Sequence, residues 1–214
     1  LRAPALNDLP CRTVTRRQGM VYVGDVVQPP PPMAHSGGPE RVVIIGAGGA
    51  GNSAAETLRR EGYAGTIAMV DPDADAPYDR PNLSKDYLAG NAPEEWIPLH
   101  PPEFYAEREI RIVRGRAARI DRANRSVVME DGSTLGYDAL LLATGAEPVR
   151  LPVPVSGPVH YLRSLADSRA LIRAADGARR AVVIGAGFIG LETAASLRTR
   201  GLEVHVVAPD ERPL

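Results

Sequence analysis

The sequence predicts an α/β fold in which one parallel-sheet unit occurs twice behind a short N-terminal β segment. Two apolar strands, "RVVII" (41–45) and "RAVVI" (180–184), each run into a loop with glycine at its first, third and sixth positions. Each loop opens a helix rich in small residues. Each helix leads to a second apolar run, "GTIAMVD" (65–71) or "LEVHVVAPD" (202–210). Continuous apolar strands alternating with helices mark a parallel sheet covered on both faces.

The elements follow in order. Residues 11–27 read as two short alternating strands around Gln18-Gly19, a hairpin signal. "QPPPPMAHSGGPE" (28–40) combines four prolines, which favour a stiff extended spacer, with a flexible Ser-Gly-Gly joint, and so reads as a linker. From Arg41 the first unit runs through a helix, "NSAAETLRREG", that Gly62 stops. Residues 110–131 carry two β-rich runs, with Asp131-Gly132 as a turn, and "YDALLLATG" (137–145) is another buried strand. The polar helix "LADSRALIRAADG" (165–177) leads into the second unit. The expected organisation is a β remnant (1–27), a linker (28–40), a first nucleotide domain (41–150) and an incomplete second one (151–214). The chain opens at Leu1 and stops directly after an apparent strand, so a fragment is expected.

Composition narrows the partners. With 25 basic and 26 acidic residues the net charge is −1, which gives no reason to expect nucleic acid. No apolar run approaches the ~18 residues of a membrane span. The single cysteine, Cys11, excludes an internal disulfide or a cysteine-rich metal site in these residues and fits a cytoplasmic location. One basic residue stands out: Lys85, in "YDRPNLSKDYL", is the only lysine, the other basic residues all being arginine.

The loops Gly46-Ala-Gly48-Gly-Ala50-Gly51 and Gly185-Ala-Gly187-Phe-Ile-Gly190 have the arrangement a dinucleotide needs. The first glycine permits the tight turn, the second lets the backbone approach a pyrophosphate, and the third lets helix and strand pack closely. Free N–H groups at the helix start face the anion. With the strand–turn–helix context present twice, two nucleotides are expected. Asp71 ends the strand about 20 positions on, where an acid binds a ribose 2′-hydroxyl, and Asp73 follows closely. The second unit has Ala208, then Pro209 and Asp210, so its choice between NADH and NADPH stays open.

Taken together, "VVIIGAGGAG", "YDRPNLSKDYLAG", "YDALLLATGAEP", "HYLRSLADS" and "VVIGAGFIGLETAASL" resemble the FAD-dependent pyridine nucleotide-disulfide oxidoreductases, in their ferredoxin reductase and apoptosis-inducing-factor-like branch. The resemblance implies a Rossmann-like fold that holds FAD on the first loop and NAD(P)H on the second. It also implies that Thr144 and Gly145 form a second flavin contact, that Arg163 meets the flavin dinucleotide, and that the backbone at Ala50 and Ala117 lies against FAD. Lys85 would reach the flavin ring where hydride arrives and pair with Glu192 of the second glycine motif. A buried ammonium there stabilises the negative charge of the reduced ring. Asp79, Arg80 and Pro81 would shape the surrounding turn. Residues 1–27 resemble the last strands of a Rieske-type domain, whose [2Fe–2S] ligands would lie upstream, because no Cys-x-His pair occurs here.

Disulfide reductases of this fold carry a redox cysteine pair after the first ribose acid; none occurs here. The resemblance therefore implies that electrons leave the flavin directly for a ferredoxin-like or fused Rieske acceptor. The alternatives are an NADH oxidase or quinone reductase, and a non-catalytic nucleotide-sensing scaffold. A homodimer is among the assemblies the resemblance allows.

Overall fold

The computed structural model describes residues 9–28, 37–152, 156–209 and 213. The first eight residues and most of the expected linker, 29–36, lie outside the described residues, as does Asp210. The chain begins with a hairpin, β1 (Arg12–Arg17) and β2 (Met20–Val26), turned at Gln18 and Gly19 with φ of 53° and 77°. Every residue of both strands is exposed, so the hairpin packs neither face on the rest of the described chain.

Next come β3 (Arg41–Ile45), α1 (Gly49–Arg60) and β4 (Thr66–Asp71). A 3₁₀ turn (Arg80–Ser84), α2 (Asp86–Ala89), a second 3₁₀ turn (Glu94–Trp96) and α3 (Glu103–Glu107) then lead to β5 (Ile110–Arg114). The strands β6 (Ala117–Asp121), β7 (Ser126–Met129) and β8 (Thr134–Gly136) form an antiparallel meander before β9 (Ala139–Leu142) returns to the main sheet. That sheet is parallel, in the order β5-β4-β3-β9. The second unit is α4 (Leu165–Ala175), β10 (Arg180–Ile184), α5 (Phe188–Thr199) and β11 (Glu203–Val207), with β10 and β11 parallel. Among the described residues no helix is long and apolar enough to cross a membrane.

The apolar run of β3 is explained by burial on both sides. Val42 and Ile44 pack with Ala55 of α1, Ile67, Met69 and Tyr105 on one face. Val43 and Ile45 pack with Val127, Met129 and Tyr137 of the meander side on the other. The antiparallel meander thus takes the place of a covering helix. The sequence reading finds two strands in 110–131, whereas the structure forms β5, β6 and β7 there, with β8 beyond. The extra strand β6, "AARID", is half exposed, so its alternation is carried by alanine and arginine and gives little signal.

A third cluster joins distant segments. Tyr78, Leu83, Tyr87 and Ile97 pack with Leu162, Leu165 and Ile172. Helix α4 is anchored there at its start by a capping box, in which Ser164 Oγ accepts from Asp167 N–H and Asp167 Oδ2 accepts from Ser164 N–H. Ala175, Leu197 and Leu202 form the core of the second unit.

Candidate functional site

The first glycine loop is built between two strands. Gly46 has φ +105° and donates its N–H to Val70 O. A Cβ on Gly46 would stand 2.2 Å from Ala143 O, and one on Gly51 would stand 1.9 Å from Gly46 O. Both positions therefore demand glycine, one for its φ and its space and the other for helix–strand packing. Gly48 caps α1 without a side-chain hydrogen bond, and no acid lies in the first turn, so the helix start presents backbone N–H groups to an anion. Ala50 is exposed on that turn.

Asp71 turns inward. It is 8% exposed, its Oδ2 accepts from Ala47 N–H at 2.6 Å, and its Oδ1 accepts from Asp73 N–H at 2.9 Å. The carboxylate thus ties the glycine loop to the end of β4. The Asp73 carboxylate in turn accepts from the Tyr78 hydroxyl at 2.6 Å, and that hydroxyl accepts from Leu165 N–H. Burial and the Asp73 bond together push the Tyr78 hydroxyl well above the usual phenol range. Arg114 of β5 donates to the main-chain oxygens of Asp73 and Asp75 and fixes this acidic turn from the other side.

Beside the loop lies a cavity of about 570 Å³, which Gly46, Asp71, Asp73, Ala117, Thr144 and Arg163 all line. That volume is within the range of small-molecule sites, and the open helix start beside it suits a pyrophosphate. Gly145 has φ +70°, and a Cβ there would come within 3.0 Å of Arg163 Nη2. Arg80 also lines the cavity; it donates to Arg163 O at 2.9 Å and lies 5.0 Å from the centre of the Tyr78 ring. Gly46, Asp71 and Asp73, read from the first glycine motif, thus line one cavity with Ala117, Thr144 and Arg163, which the resemblance implied, and this mix of donors and acceptors fits the adenine dinucleotide of FAD.

The second loop repeats the plan. Gly185 has φ +109° and donates to Val207 O, and a Cβ on Gly190 would stand 2.1 Å from Gly185 O. Around Gly185 and Gly187 a Cβ would meet nothing within 4 Å. Gly187 caps α5 with no side-chain bond, which again leaves N–H groups for an anion.

The two units meet at Lys85. Its Nζ donates to Glu192 Oε2 at 2.8 Å and to Pro81 O at 3.2 Å, while Ser84 Oγ donates to the same Glu192 oxygen at 2.7 Å. The bond from Lys85, then that from Ser84, holds the Glu192 carboxyl below its ordinary range. Burial pushes the neighbouring Asp79 carboxyl up, and the Lys85 charge opposes that shift. In the protein alone the side chains of Lys85 and Glu192 are 48% and 29% exposed. The pair faces solvent, so its electrostatic worth is about 1 kcal/mol or less rather than the several kcal/mol of a buried pair.

Sequence reasoning overlooked Ser84 as a ligand of Glu192 and Arg114 as a brace. For Ser84, its place beside Lys85 was the only available signal; Arg114 offered none.

Known proteins place this arrangement. The family model for pyridine nucleotide-disulphide oxidoreductases matches residues 40–214. Rhodocoxin reductase from Rhodococcus erythropolis is 43% identical over 176 residues, covering 81% of this chain and 41% of its own length. Apoptosis-inducing factor 3 from Mus musculus is 39% identical over 175 residues, which are 80% of this chain and 28% of that protein. The crystal structure of the covalent putidaredoxin reductase–putidaredoxin complex matches with a TM-score of 0.78 and 38% identity, over 82% of this chain and 43% of that one. The chain spans less than half the length of these relatives. With that family model matched over residues 40–214 and relatives of both kinds at 43% and 39% identity, the chain belongs to the pyridine nucleotide-disulphide oxidoreductase family, in its ferredoxin reductase and apoptosis-inducing-factor-like branch.

Proposed function

We propose that this chain is the nucleotide-binding part of an FAD-dependent NAD(P)H reductase that passes electrons to an iron–sulfur protein. The observation that carries the proposal is the Lys85–Glu192 contact, because it joins the turn beside the first loop to the helix that opens from the second. FAD, when bound, supplies an acceptor that takes a hydride and returns electrons singly. Residues 41–150 would hold it, with Gly46, Gly48, Ala50 and Gly51 at the pyrophosphate, Asp73 with Asp71 behind it towards the ribose, and Ala117, Thr144, Gly145 and Arg163 along the cavity. Gly185, Gly187 and Gly190 would hold the nicotinamide nucleotide. Lys85 would place its positive charge where negative charge develops, while Glu192, itself held by the Ser84 hydroxyl, and Pro81 O keep the ammonium in position.

The relatives' names support a ferredoxin-type protein acceptor, since one relative is named a ferredoxin–NAD(P)(+) reductase and a solved one is a reductase–putidaredoxin complex. We also propose that residues 1–27 close a Rieske-type module. A two-stranded hairpin is at best marginally stable alone, and one exposed on both faces fits as part of a larger sheet.

Lys85→Met in the flavin-loaded protein should slow flavin reduction by NAD(P)H on the order of 10- to 100-fold. Stopped-flow absorbance measures this. Unchanged reduction with full flavin content would remove the role. In the same experiment, reoxidation by a [2Fe–2S] protein no faster than by dioxygen or a quinone would favour an oxidase or quinone reductase.

A further inference from the structure

We infer that Ser196 is a positioning residue for Lys85, acting through the backbone of the turn that carries it; the inference rests on the role proposed for Lys85. Ser196 is 5% exposed on α5, and its hydroxyl donates to Ser84 O at 2.7 Å and Lys85 O at 3.1 Å. A buried serine within a helix commonly bonds the carbonyl four residues back. Thr199 does this on the same helix, donating to Ala195 O at 3.1 Å. Ser196 instead reaches across to the carbonyls of Ser84 and of Lys85, the single lysine.

The geometry extends along the helix. Glu192, Ser196 and Arg200 are spaced by four and form one stripe, since residues four apart share a helix face. Glu192 takes the Ser84 hydroxyl and the Lys85 ammonium, Ser196 holds the Ser84 and Lys85 carbonyls, and Arg200 donates to Leu88 O. The Lys85 carbonyl also starts α2 by accepting from Ala89 N–H at 2.8 Å. Lys85 is thus held at its tip by Glu192 and at its root by Ser196. Pro81 O also accepts from the tip, and Asn82 O accepts from the Lys85 backbone N–H. Removing the hydroxyl takes away one of three bonds at the root, leaving Lys85 N–H on Asn82 O and Ala89 N–H on Lys85 O. The ammonium and the Glu192 carboxylate then keep their charges, but their separation is less firmly fixed.

The test uses Ser196→Ala and Ser196→Thr in the flavin-loaded protein. In the alanine variant, amide hydrogen exchange at residues 85–89 should rise roughly 3- to 10-fold, the opening expected when one hydrogen bond is lost. The acid limb of the pH profile for flavin reduction should move up towards the ordinary carboxylate range, because Glu192 is less firmly paired. Ser196→Thr, which restores a hydroxyl, should return both towards the parent values. A lower melting temperature with exchange and acid limb unmoved would overturn the inference. So would faster exchange with an unmoved acid limb, which would leave Ser196 a packing contact. If Lys85→Met left reduction unaltered, the role of Lys85 would fall, while the exchange comparison would still report whether Ser196 holds the turn.

Discussion

Gly46 and Gly185 occupy the same point of their loops, with φ of +105° and +109°, and each donates its N–H to the strand that follows its helix. Their surroundings differ. Strand β3 has β9 beside it, so Ala143 O crowds Gly46; among the described residues β10 pairs with β11 alone, and Gly185 has open space. The strand after the first helix ends in Asp71, whose carboxylate ties down Ala47 N–H. The second ends in Val207, and Ala208, at the position matching Asp71, has no side-chain acceptor to offer Ala186. The third glycines do not differ, because Gly51 and Gly190 both lie against the carbonyl of their own first glycine. Helix–strand packing within the unit therefore sets the third position, while neighbouring strands set how crowded the first one is.

The largest test of this contrast is alanine at the first glycine. Gly46→Ala combines a disfavoured φ with a backbone clash and should cost on the order of 4 kcal/mol with loss of flavin retention. Within these 214 residues Gly185→Ala meets only the φ penalty, roughly 1–2 kcal/mol. Denaturant melts and flavin content measure both, and equal costs would break the comparison. Next, Asp71→Ala leaves a buried N–H without its acceptor and should cost about 1–3 kcal/mol. The converse Ala208→Asp should gain less than about 1 kcal/mol, the net worth of one exposed bond. A stability gain as large as the Asp71→Ala loss would mean that the second loop also depends on such a tie.

The smallest effect concerns pH. Glu192 has a depressed folded pKa, so its contribution is fully present above the ordinary carboxylate pKa and fades as pH falls through the depressed value. Because the pair faces solvent, the loss should be under about 1 kcal/mol and should diminish with added salt. Comparing acid melts of the parent protein with those of Glu192→Gln isolates it.

Much of the plan was legible because glycine constraints are local. A positive φ and a close approach must be met by the residue at that position, and the loop carries them in six residues. Spacing also located Asp71, but not where its side chain points. The count of 20 positions cannot tell a ribose ligand from a carboxylate turned back on its own loop: Asp71 accepts from Ala47 and Asp73 N–H, and Asp73 accepts from Asp75 N–H and the Tyr78 hydroxyl. The meander was only half visible, since β6 is too exposed to show apolar alternation. Ser196 left no trace in the sequence: its partners are 112 and 111 residues away, and a serine on a helix has no pattern that announces an outward bond.

Lys85 has a practical consequence. Within these 214 residues it supplies the single ε-amine, and that amine is half exposed. An acylating label should therefore modify one side chain here, slowly while Glu192 and Pro81 hold the nitrogen and faster once they release it. Labelling rate becomes a direct gauge of how tightly the two nucleotide units grip each other, read without altering a residue.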